Sequence, residues 1–97
     1  MNTLHLKSTI PPLEFYRVEL PGMPPTRRTH GWVDGGLCPF HDDHNKGSFR
    51  VNLDSGAFKC FACGAHGSDI IGFVQRRDRL AFKEAIEALV NNWRIQQ

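Results

Sequence analysis

Four side chains able to bind a metal fall into two pairs, and each pair is separated by two residues. Cys38-Pro39-Phe40-His41 comes first, and after eighteen intervening residues Cys60-Phe61-Ala62-Cys63 answers it. Two residues between ligands is the separation at which a tight turn aims both side chains at one ion, about 2.3 Å from each sulfur and about 2.0–2.1 Å from a ring nitrogen. Two such knuckles brought together complete a tetrahedron, so the pattern predicts one structural zinc ion held by Cys38, His41, Cys60 and Cys63. His44 and His66 are near enough in sequence to compete for the fourth position, but His41 alone has knuckle spacing from Cys38. The competing arrangement, a disulfide between Cys60 and Cys63, leaves Cys38 as an odd thiol. Four protein ligands also close the site, whereas a catalytic zinc keeps a position open.

Length supports the metal reading. A chain of 97 residues makes one domain, and a core of that size supplies only a few kcal/mol of net stability, so a metal staple becomes part of folding. No apolar run is long enough for a membrane span and no signal-peptide pattern opens the chain, which places it in the cytoplasm. In that reducing compartment, cysteines at ligand spacing are better explained by metal than by disulfides. The formal charge is +2, and three thiolates with a divalent ion lower it to about +1. Net charge therefore does not select a partner. The gathering of Arg27, Arg28, Lys46, Arg50, Lys59, Arg76, Arg77 and Arg79 on one face would.

Residues 1–30 read as an N-terminal arm and linker, flexible unless docked. Pro11-Pro12 opposes a helix through that point, Leu13–Leu20 suits a short strand or one helical turn, and Pro21-Gly22-Met23-Pro24-Pro25 forces an extended link. Residues 31–97 read as the zinc-binding domain, a small α+β zinc ribbon in which an antiparallel β-hairpin sheet is followed by two C-terminal helices. Gly31-Trp32-Val33 enters the first knuckle as a strand, with Trp32 assigned to packing and Gly35-Gly36 to a close backbone approach. Ser48–Leu53 alternates, placing Phe49, Val51 and Leu53 inward and Ser48, Arg50 and Asn52 outward. Asp54-Ser55-Gly56 signals a turn, and Ala57–Cys60 returns as the partner strand. After a turn over Gly64–Gly67, Ser68 or Asp69 caps a helix bearing Ile70, Ile71, Phe73 and Val74, inside which Gly72 marks a close contact. Phe82, Ala85, Ile86, Leu89, Val90 and Trp93 recur at the helical period in a last helix.

These residues together resemble a family: the Cys-His-Cys-Cys zinc ribbon at the N-terminus of bacterial-type DNA primases, including versions carried by phages and mobile elements. The resemblance rests on Cys38-Pro39-Phe40-His41, Ser48-Phe49-Arg50-Val51, Phe58–Gly64, Gly67–Phe73 and Phe82-Lys83-Glu84-Ala85, and covers roughly Leu37 to Leu89. Gly47 stands where the family usually has proline. The resemblance implies a zinc-binding module that recognises single-stranded DNA template in replication priming. It implies no catalytic centre in these residues, because primer synthesis requires an acidic metal-binding centre for which the chain is too short.

An open ribbon sheet can stack unpaired bases on aromatic faces while cations follow the backbone. On this view Arg50 and Lys59, outward on the two hairpin strands, are the first candidates for nucleic-acid contact, followed by Lys46, Phe61 and Arg76. The alternative is a zinc-stabilised protein-interaction module that docks a helicase, a primase catalytic subunit or another replication factor through the Phe82–Trp93 helix or the arm. A zinc nucleobase deaminase is excluded, since the chain has neither His-x-Glu nor Pro-Cys-x-x-Cys around an open zinc.

Overall fold

The computed structural model describes residues 3–41 and 47–93. Strand alternation translates directly into a four-stranded antiparallel sheet of order β1-β2-β3-β4, comprising Trp32–Asp34, Phe49–Asn52, Phe58–Cys60 and His66–Gly67. Val33 pairs with Val51, and Val51 with Phe58, on the buried face. Asp34 pairs with Arg50, Arg50 with Lys59, and Lys59 with His66, so these four side chains form one row across the other face. The β2–β3 turn is built by Asn52, whose Oδ1 accepts from the amides of Asp54 and Ser55 at 2.8 and 3.0 Å. Gly56 completes that turn at φ +81°, a conformation glycine adopts without steric cost. The fourth strand was expected to be a turn. Its two residues gain strand character only by pairing with β3, which local sequence does not encode.

Helices cover the buried face. α3 (Ile70–Asp78) starts at Asp69, whose Oδ1 accepts from the Gly72 amide at 2.9 Å, which selects it over Ser68, the other cap the sequence offers. α4 (Phe82–Asn92) starts where Glu84 reaches back to the Ala81 amide at 2.9 Å. Phe73 sits at the centre of the core, edge-on to Phe15, Tyr16 and Phe58 at ring separations of 5.7, 5.2 and 5.5 Å. Ala85, Leu89 and Val90 of α4 are buried, while Phe82, expected in the same stripe, is exposed at the first turn.

The arm assigned to residues 1–30 is corrected over its first two thirds. Residues 3–19 form α1 (Thr3–Thr9) and α2 (Pro12–Glu19), and Leu6, Ile10, Phe15, Tyr16 and Leu20 belong to the same core as the sheet. Pro12 stops a helix from running through that point, as expected, and as the first residue of α2, where it needs no amide hydrogen bond, it starts a new one in place of the short strand or single helical turn expected over Leu13–Leu20. The close approach expected at Gly72 occurs elsewhere, because a Cβ at Gly72 would meet only ordinary contacts. A Cβ at Gly67 would collide with the Phe58 ring, and one at Gly35 would lie 2.6 Å from the Phe49 ring.

Candidate metal centre and nucleic-acid interface

The first knuckle follows β1 through Gly35 and Gly36. Gly36 has φ +88°, and its α-carbon packs so tightly on the Gly22 carbonyl that a side chain would not fit. The chain then turns at Cys38, whose sulfur accepts from the Phe40 amide at 3.4 Å. Phe40 points inward against Phe49, Phe58 and Phe73, which anchors the knuckle to the core between its two ligands. The second knuckle begins at Cys60, the buried last residue of β3. Its amide donates to the Ala65 carbonyl at 2.8 Å, and Gly64, at φ +80°, donates to the Cys60 carbonyl at 2.9 Å. These bonds fold Cys63 back beside Cys60.

One donor atom from each of Cys38, His41, Cys60 and Cys63 lies within 4.8 Å of the other three. The Cys38 and Cys63 sulfurs are 3.8 Å apart. A disulfide requires about 2.05 Å, whereas two edge sulfurs of a tetrahedron with 2.3 Å zinc–sulfur bonds stand about 3.8 Å apart. No disulfide joins any of the three cysteines. The donor set and its spacing therefore fit one zinc ion and not the disulfide alternative. His66 falls outside the cluster: it is exposed on β4 with its Nδ1 3.0 Å from the Gly64 carbonyl. His44 lies outside the described residues.

Electrostatics point the same way. Burial, reinforced by the adjacent Cys60 and Cys63 sulfurs and opposed by the Phe40 amide, pushes the Cys38 thiol up to about 12. At Cys60 burial also pushes upward, but the Cys63 and Ala62 amides outweigh it and hold that thiol below its ordinary value. Burial disfavours the ionised form of Cys38, and a divalent cation placed among the gathered sulfurs relieves that cost by supplying positive charge. Bound there, zinc would cross-link the end of β1 to the end of β3.

The sheet's other face is uncovered by any described helix. Arg50 and Lys59 stand directly opposite each other on β2 and β3, and Phe61 continues the ladder one step further, its amide donating to the Ser48 carbonyl at 2.8 Å. The Lys59 ammonium lies over the Phe61 ring at 4.9 Å from its centroid. With Trp32 these residues line a cleft of about 300 Å³. Three of the five residues expected to contact nucleic acid thus share one site. Arg76 does not join them, being exposed on α3, the helix that covers the opposite face, and Lys46 lies outside the described residues. Trp32 was assigned to packing, but it is 45% exposed. Its alternation with the inward Val33 was the sequence signal for an outward ring.

The fold and the four gathered ligands define a zinc ribbon stabilised by two helix pairs. The chain belongs to the CHC2 zinc finger family, whose model matches residues 26–97. It is 50% identical over 54 residues to a DNA primase of Streptomyces coelicolor, covering 56% of this chain and 8% of that protein. It is 45% identical over 58 residues to a DNA primase of Helicobacter pylori, covering 60% and 10%. A crystal structure of the Aquifex aeolicus primase, comprising zinc-binding and RNA polymerase domains, superposes with a TM-score of 0.70 at 27% identity, covering 96% of this chain and 21% of that one. The chain spans only 8 to 10% of the length of these two curated relatives, and the likeness is to the zinc-binding part.

Proposed function

We propose that this chain is a single-stranded-DNA template-recognition module acting in replication priming, with nucleotide polymerisation carried out elsewhere. The observation that carries the reading is the cleft on the open sheet face, where Arg50 and Lys59 stand between Trp32 and Phe61. Cations at that spacing can neutralise backbone phosphates, and exposed rings beside them offer faces for unpaired bases. A duplex, with its bases stacked inside, cannot use those rings. The likeness to DNA primases supports priming as the setting. Zinc's part is to hold β1 and β3 in register so that the cleft keeps its shape.

The alternative of docking a helicase or primase subunit through the last helix would rest on Phe82, exposed at its first turn, since Ala85, Leu89 and Val90 face the core and Trp93 stacks on Phe15 at 5.7 Å. The N-terminal helices pack on the core through Leu6, Phe15 and Tyr16, with Val18 exposed on α2. Among the described residues no helix is long and apolar enough to cross a membrane.

Fluorescence anisotropy of the zinc-loaded chain against labelled single- and double-stranded DNA, over a range of salt, tests the proposal. Binding should favour single strands and weaken with salt. Each phosphate contact contributes about −0.7 to the log–log salt slope for single strands, so Arg50→Ala with Lys59→Ala should flatten it by about 1.4. The thermal transition should change little. An unaltered affinity and slope in the double variant would move the function to a protein partner.

A further inference from the structure

The cleft has a polarity of construction that goes beyond a basic surface. Four ring-bearing phenylalanines of the core, Phe15, Phe49, Phe58 and Phe73, are 0 to 1% exposed, whereas Trp32 is 45% and Phe61 67% exposed. Among the described residues neither of these two rings packs on another aromatic ring, and Phe61 has the Lys59 ammonium over one face. Trp32 lies opposite Asn52 on one side of β2 and Phe61 opposite Ser48 on its other side, so the two residues are four positions apart along the strands and two strands apart across the sheet. With about 3.3 Å per residue and about 4.8 Å per strand, their backbones stand about 16 Å apart. The row from Arg50 to Lys59 crosses the sheet midway between them.

Bases stacked in a helix rise by only about 3.4 Å per step, well short of the separation between the two backbones. We infer that Trp32 and Phe61 stack two different bases of one extended DNA strand, while Arg50 and Lys59 take the phosphates between them. This deepens the proposed function and rests on it. Lys59 occupies one face of Phe61, which leaves the other face for a base and holds the ammonium beside the intervening backbone. Trp32, on the outer strand of the sheet, receives the second base with no neighbouring strand to obstruct it. The arrangement selects for an unstacked strand and makes Trp32 a binding residue, not a packing residue.

The chain has two tryptophans, so a Trp93→Phe variant, which keeps a ring against Phe15, makes Trp32 the sole indole. Titrating this zinc-loaded 97-residue variant with a short oligothymidylate should quench its emission as binding saturates. In the parent chain, Trp32→Leu and Phe61→Leu should each weaken binding on the order of tenfold. The salt slope and zinc content should be unchanged. Rings that hold different bases act independently, so the double variant should lose the product of the two factors. Binding without quenching and without loss in Trp32→Leu overturns the inference and leaves the proposed function standing. A double variant no weaker than the single ones overturns the two-base arrangement, since one base between both rings would behave that way. Failure of the parent chain to bind any single strand overturns both.

Discussion

Tyr16 shows how one side chain ties the N-terminal helices to the ribbon. Its ring is fully buried, and its hydroxyl donates to the Gly56 carbonyl at 2.5 Å, reaching from α2 to the hairpin turn. Tyr16→Phe leaves that carbonyl buried without its donor, a change that typically costs about 1–3 kcal/mol and should appear as a lower thermal midpoint. Burial first, and the nearby Asp69 charge second, raise the Tyr16 phenol well above its ordinary value of 10.0. A phenol that holds its proton more tightly folded than unfolded contributes stability that is whole below pH 10 and is lost as pH climbs above it. Chemical denaturation at successive pH values should therefore show a decline above pH 10 that is shallower in Tyr16→Phe. An identical decline in both proteins would assign it to other groups. At this scale the sequence was informative about ligands and poor about Tyr16, because a tyrosine in a short uncertain segment carries no sign of which distant carbonyl it will meet.

Among the elements, α1 and α2 decide whether the first twenty residues are an appendage or part of the core. Seven and eight residues make about two turns each, below the length at which isolated helices persist in water. Their stability must come from the side they bury. Ile10 is 1% exposed and should cost about 2–5 kcal/mol when truncated to alanine. His5, exposed on α1, should change stability by about 0.5 kcal/mol or less. Urea denaturation of the two variants separates the cases, and equal midpoints would restore the arm. The sequence hides α1 and leaves α2 open between a short strand and one helical turn for the same reason: two turns show too few apolar repeats for periodicity to emerge, and Pro11-Pro12 reads as a break. The hairpin and the last two helices were legible because alternation over Ser48–Leu53, the Asp69 cap and the repeat from Phe82 to Trp93 are complete within their own segments. β4 was not, as its two residues are defined by their partner strand.

For the molecule as a whole, zinc binding is on the scale of the net folding stability. Structural zinc binds small domains with apparent free energies of about 10–16 kcal/mol near neutral pH, while a native domain is stable by only about 5–15 kcal/mol. Removal of the metal by a chelator should therefore abolish the cooperative thermal transition, and Cys60→Ser should do the same with loss of bound zinc. Circular dichroism with metal analysis checks both. A Cys60→Ser protein that melts near the parent temperature with one zinc bound would show that the core alone suffices. Phe40 explains why metal and core should fail together, since it lies between two ligands and packs on Phe49, Phe58 and Phe73.

The sequence by itself determined the ligand pairs, the hairpin that joins them, the capped helix and the outward placement of Arg50 and Lys59. Each of these follows from local spacing: two residues between ligands, period two in strands, period 3.6 in helices. Tertiary structure decided that Trp32 faces the same cleft as Phe61, that Arg76 does not, and that residues 3–20 complete the core. These depend on which strands become neighbours and which apolar faces find one another across the chain, and no window of sequence contains both partners.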